Sequence, residues 1–150
     1  MIYFEESPSA GDGHYLDHFA KTSKTWFRTT EKIEPTLIQV DDVMKGDKRW
    51  LSAKLPASAP RSVDCYGKFG VYAYGDTKVL LYYYARNLDL STHEDLHELG
   101  RAKHMKLDIV PHDLENEVEL TVLWKGKPAG NRMVFIRGPK NMRSFATTGR

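Results

Sequence analysis

Six histidines occur in the 150 residues, and four of them form two i, i+4 pairs, His14/His18 in "HYLDH" and His93/His97 in "HEDLH". On a helix that spacing puts two imidazoles on one face, where they can chelate Ni(II), Cu(II) or Zn(II). The second pair also fits the zinc-hydrolase pattern H-E-x-x-H, in which two histidines hold the metal and the glutamate activates a bound water. It continues as "HEDLHELGRAKH", close to the longer H-E-x-x-H-x-x-G-x-x-H pattern.

Three features weigh against a catalytic zinc centre. Ser91 and Glu94 form a capping-box pair, which starts a helix there and puts His93 at its second position, in a first turn that frays. Asp95 adds charge on a helix that a hydrolase usually buries. His104 lies one residue past the spacing of a third ligand, and Gly100 ends the helix before reaching it. The segment therefore reads as a solvated connector helix, with no catalytic residue assigned. His14, His18, His93 and His97 remain as metal-ligand candidates, His14 and His18 on a short helix spanning 13–21.

Other chemistry finds less support. Cys65 sits beside Val63 in a strand pattern and reads as a small core residue. No G-x-S-x-G elbow occurs, and the glycines of "YGKFGVYAYG" precede no helix, so they mark bulges or close packing rather than a phosphate loop. Tyr72, Tyr74, Tyr82, Tyr83 and Tyr84 form either a stacking face for sugars or bases or, as is more common, core packing with hydroxyls at the edges.

The elements that must position these residues are mostly strands. "TWFRT" (25–29), "PTLIQVDDV" (35–43), "RWLSAKL" (49–55), "SVDCYGKFGVYAYG" (62–75) and "KVLLYYYARN" (78–87) are β-branched or aromatic runs bounded by turn residues such as Lys45-Gly46-Asp47 and Gly75-Asp76. "KVLLYYYA" is apolar on both faces, as in a central strand. In "EVELTVLW" the alternation puts Val118, Leu120, Val122 and Trp124 on one face. "KGKPAGN" then turns, and "RMVFIRG" and "RSFATTGR" read as further strands. Short strands at close spacing with one or two short helices predict a mainly β fold, an antiparallel β-sandwich.

Bulk properties set the outer limits. With 22 basic and 20 acidic residues the net charge is +2, which lacks the electrostatic footprint of a nucleic-acid binder. No apolar run approaches a membrane span. A single cysteine excludes an intrachain disulfide.

The second half carries a resemblance. "YGKFGVYAYGDTKVLLYYYARNLDL", then a helix, then "KLDIVPHDLENEVELTVLWKGKPAGNRMVFIRGP" resembles the DUF4198 family of extracytoplasmic bacterial proteins, some of them linked to nickel and cobalt uptake. "IYFEESP" and "HYLDHFAKTSKTWFR" look like the opening of planctomycete-type members. The resemblance implies tandem sandwiches, Ig-like and then transthyretin-like or carboxypeptidase-regulatory-like. Residues 1–106 would form the first, and 107–150 the first strands of a second, incomplete one. It also implies a periplasmic or cell-surface location with a leader removed.

Together these features predict a non-enzymatic extracytoplasmic binding protein of unknown ligand, whose most specific version is the handling or uptake of a divalent transition metal (Ni, Co or Zn). Its expected partners are the metal ion or transporter components, with homo-oligomers forming through open sheet edges. Neither nucleic acid nor a membrane span is expected. The alternatives are a structural or adhesive surface sandwich and, more remotely, a zinc hydrolase using HEDLH.

Overall fold

A computed structural model of the chain describes residues 1–2, 9–115, 117–137 and 142–148. The fold is mainly β, with antiparallel sheets and two short helices, as the strand-rich sequence predicts. Two compact units divide at Met1–Asp89 and Leu90–Arg150. Residues 90–106 group with the second of these units.

The first unit holds helix α1 (Leu16–Thr22) and strands β1 (Lys24–Thr29), β2 (Thr36–Ile38), β3 (Asp41–Lys45), β4 (Lys48–Ser52), β5 (Arg61–Tyr74) and β6 (Thr77–Asp89). Its main sheet has the order β2-β1-β5-β6, and β3 and β4 make a separate hairpin. The run at 35–43 thus breaks into two strands with different partners, β2 on β1 and β3 on β4.

Strand alternation sorts the sheet's residues onto two faces. Pairing Thr25 with Cys65 and Gly67 with Tyr83 builds one face. Leu16 and Phe19 from α1, Leu51 from β4 and Cys65 form the core there, with Ile2, Ala20, Val40 and Tyr83 packed against it. Cys65 is buried as expected, and burial pushes its thiol pKa up; the Thr25 hydroxyl, donating to its sulfur at 3.4 Å, partly opposes that rise.

Gly67 suits this packing, since a Cβ at that position would clash with ring carbons of Phe19. Gly70 serves a different purpose. The β5–β6 register shifts between Lys68 and Gly70, and Gly70 takes φ +119°, a conformation side chains disfavour. The inserted residue moves Tyr72 and Tyr74 onto the face that carries Tyr83. Both glycine roles expected from the sequence, close packing and a bulge, are present.

Two expectations need correcting. β6 is not a central strand: it ends the four-stranded sheet, and none of its side chains is fully buried. Its apolar letters come from the long β5–β6 arm, where Leu80 is 48 % exposed and Tyr82 39 %. Nor do the tyrosines as a group fill the core. Tyr83 packs against it, while Tyr74 is 61 % exposed and touches Tyr72 at 4.8 Å between ring centroids.

Helix α1 is tied to the β3–β4 hairpin by Arg49. Its guanidinium donates to both carboxylate oxygens of Asp42, at 3.0 and 2.6 Å, and to Asp17 at 2.6 Å. Hydrogen bonding to Arg49 is the main reason both carboxyls stay below their ordinary pKa.

The second unit contains α2 (His93–Leu99) and strands β7 (Leu107–Leu114), β8 (Glu117–Trp124), β9 (Lys127–Pro128), β10 (Met133–Arg137) and β11 (Met142–Ala146). β7-β8-β9 form one sheet, and β10 and β11 pair as a separate hairpin. The predicted shared face of β8 is real, but only Val122 on it is buried; Val118 and Trp124 are 60 % and 45 % exposed. "KGKPAGN" is a turn that also supplies the two-residue strand β9. Gly138, and Gly149 and Arg150 at the end of the expected last strand, lie outside the described residues.

Candidate metal site

The helix carrying HEDLH begins one residue later than the sequence suggests. Thr92, not Ser91, is the N-cap, and Asp95, not Glu94, completes the capping box. The Thr92 hydroxyl accepts from the Asp95 N–H at 3.1 Å. In return, one Asp95 carboxylate oxygen accepts from the Ser91 and Thr92 N–H groups, each at 2.9 Å. Two backbone donors satisfied by one carboxylate explain why the box settles on Asp95. Those bonds, the one from Ser91 foremost, also lower the Asp95 pKa.

The shift makes His93 the first helical residue, with His97 in the last turn. The two rings meet edge to face with centroids 4.4 Å apart. Their Nε2 atoms stand 2.7 Å from each other, hydrogen-bonding distance, so one ring donates and the other accepts. On the far side of His93, Nδ1 lies 3.8 Å from a carboxylate oxygen of Asp113 on β7. At that distance the carboxylate is a charged neighbour of the ring, beyond hydrogen-bonding reach. Both His93 and Asp113 are about half exposed, so a solvated ion can reach the pair.

The first histidine pair is arranged differently. α1 starts at Leu16 with Tyr15 as its N-cap, so His14 precedes the helix, and helical spacing does not relate it to His18. The His14 N–H instead donates to the Asp12 side chain at 2.9 Å, which holds it in the preceding turn. His14 stacks edge-on against Tyr15 at 4.9 Å, and His18 lies against Phe69 at 5.9 Å. Of the four candidate ligands, only His93 and His97 are brought nitrogen to nitrogen.

His104 sits past α2 in the turn closed by the Met105 N–H donating to the Ala102 carbonyl, and His112 is exposed on β7. Among the described residues, no three or more His, Cys, Asp or Glu side chains are grouped to hold a metal ion. The arrangement is thus a pair of ring nitrogens facing each other at the surface.

Sequence reasoning missed two groups. Asp113 gave no signal, because its approach to His93 depends on how α2 packs against β7 rather than on spacing in the chain. The other is a buried ionic cluster in the first unit, on the sheet face opposite the core. There Asp64 accepts from Arg86 Nε at 2.7 Å, from Arg28 Nε at 3.2 Å and from the Ser62 hydroxyl at 3.2 Å. Arg28 Nη2 also donates to Ser62 Oγ at 3.1 Å. Asp64 and Ser62 are 0 % exposed and Arg28 3 %. The register assembles this group by pairing Arg28 with Ser62 and Asp64 with Arg86. The available signal was one charge in each of three otherwise uncharged strand runs, "TWFRT", "SVDC" and "YYYARN".

No family model, curated protein or solved structure matches the chain.

Proposed function

We propose that this chain is a non-enzymatic binding protein that handles a divalent transition-metal ion, with His93 and His97 as its ligands. The observation that carries the reading is the 2.7 Å approach of the two Nε2 atoms, with Asp113 behind His93. A pair held this way has already paid part of the ordering entropy that a flexible pair would lose on binding. Two protein ligands leave coordination positions open, which suits an ion that is picked up and passed on better than one locked into a structural site. An extracytoplasmic location, with transporter components as partners, fits that role and belongs to the same proposal.

Isothermal titration of the metal-free protein with Ni(II), Zn(II) and Cu(II) tests it. The reading requires one site tighter than about 0.1 mM, roughly 5.5 kcal/mol, that disappears when both His93 and His97 become Ala. Loss through His14 and His18 instead would move the site to the first unit. No binding at this level would remove the metal reading.

The second unit favours an alternative, a structural or adhesive surface module that self-associates. Ile109, Val118, Trp124, Met133, Phe135 and Phe145 are each at least 43 % exposed there, the kind of side chain that an association surface buries. Sedimentation velocity distinguishes the two: concentration-dependent association without metal supports the module, and a metal-dependent change supports the chelate.

A further inference from the structure

The distance between the two imidazoles bears on which ion they take. This inference rests on the metal reading above and deepens it. With metal–nitrogen bonds of about 2.0–2.1 Å, nitrogens 2.7 Å apart subtend an angle of about 82° at the ion. Adjacent corners of a square plane need about 2.9 Å between nitrogens, whereas a tetrahedral ion needs about 3.3 Å at the same bond length. The pair opens by about 0.2 Å for the first and about 0.6 Å for the second.

We propose that His93 and His97 form a chelate for a tetragonal ion, Cu(II) in particular, and discriminate against tetrahedral Zn(II). Two observations and one general affinity rule converge on this. The short separation matches neighbouring positions of a square plane, the geometry of Cu(II) and Ni(II) sites built from nitrogen and oxygen. Imidazole nitrogens suit Cu(II), which among the divalent first-row ions binds such donors most tightly. Asp113 lies on the Nδ1 side of His93, 3.8 Å away, so it stands behind the ring without occupying a corner of the plane.

The plane that results has two adjacent open corners. The described residues supply no third ligand from a His, Cys, Asp or Glu cluster, so these corners take water or donor atoms from the molecule that delivers or receives the ion.

The test is a competition experiment on the intact chain. The protein is loaded with one equivalent of Cu(II), examined by electron paramagnetic resonance, and then challenged with equimolar Zn(II). The inference expects an axial tetragonal spectrum with splitting from two nitrogens, and Cu(II) retention of at least about tenfold over Zn(II). His93→Ala and His97→Ala each reduce the coupled nitrogens by one, while circular dichroism confirms that each variant is folded. Asp113→Asn keeps both nitrogens but weakens Cu(II) about tenfold or more.

Comparable retention of Zn(II), or a spectrum unchanged by the histidine variants, would overturn the ion preference. The chelate itself would survive if Zn(II) still binds through His93 and His97. Absence of any histidine-dependent binding would overturn both the preference and the metal reading.

Discussion

The Arg28–Asp64–Arg86 cluster of the first unit and the His93–His97 pair of the second are two polar groupings organised in opposite ways. In the first, one carboxylate with no solvent exposure is enclosed by two guanidiniums and a hydroxyl, which use both of its oxygens. In the second, two neutral-capable rings face each other at the surface with a single carboxylate behind them. A buried, fully engaged group contributes to holding the fold and has no capacity left for a ligand. An exposed, partly engaged pair contributes little to stability and stays open to solvent. The contrast separates structural from functional polarity more sharply than residue type does, since both groups are charged or chargeable.

That distinction can be broken by substitution. The largest effect is expected at Asp64: Asp64→Ala removes the shared acceptor and should cost about 3–5 kcal/mol of stability, as when one partner of a buried ion pair is deleted. Urea denaturation checks this, and a loss below about 1 kcal/mol would show that the cluster is not what holds the sheet face. Gly67→Ala drives a methyl group into the Phe19 ring. It should cost about 1–3 kcal/mol by overpacking, a loss that Phe19→Leu in the same chain partly restores.

Thr92→Ala removes the N-cap acceptor of α2 and should weaken that helix by about 1 kcal/mol. Amide hydrogen exchange confined to α2 would report it. Acidification acts at the same place. Because the folded-state pKa of Asp95 is depressed, its capping contribution is present above the ordinary carboxylate value and is lost as pH falls through the lower one. The Thr92 and Ser91 amide protons should therefore shift upfield only below about pH 4. The smallest effect on stability belongs to the histidines: His93→Ala and His97→Ala should stay within about 0.5 kcal/mol, as expected of exposed side chains. A loss as large as that at Asp64 would erase the distinction between the two groupings.

Much of this was legible from local chemistry. β5, β6 and β8 follow from runs of β-branched and aromatic residues, and the turns at Gly46 and Gly75 from their glycines. The capping box was visible to within one residue. What remained hidden depends on tertiary neighbours. "KVLLYYYARN" reads as central because apolar letters on both faces do not reveal whether a second strand lies alongside, and here none does among the described residues. His14 and His18 read as a pair because spacing alone does not show where a helix begins, and the Asp12 turn delays it until Leu16. Asp113 and Asp64 acquire their roles only when β7 meets α2 and when three strands come into register.

The central claim is that His93 and His97 act together as a metal-ion chelate. Isothermal titration of Cu(II) into the metal-free chain, alongside the His93→Ala/His97→Ala double variant, tests it most directly. The account predicts one equivalent bound more tightly than about 0.1 mM by the parent chain and no such site in the folded double variant. Equal binding by the two proteins would contradict it.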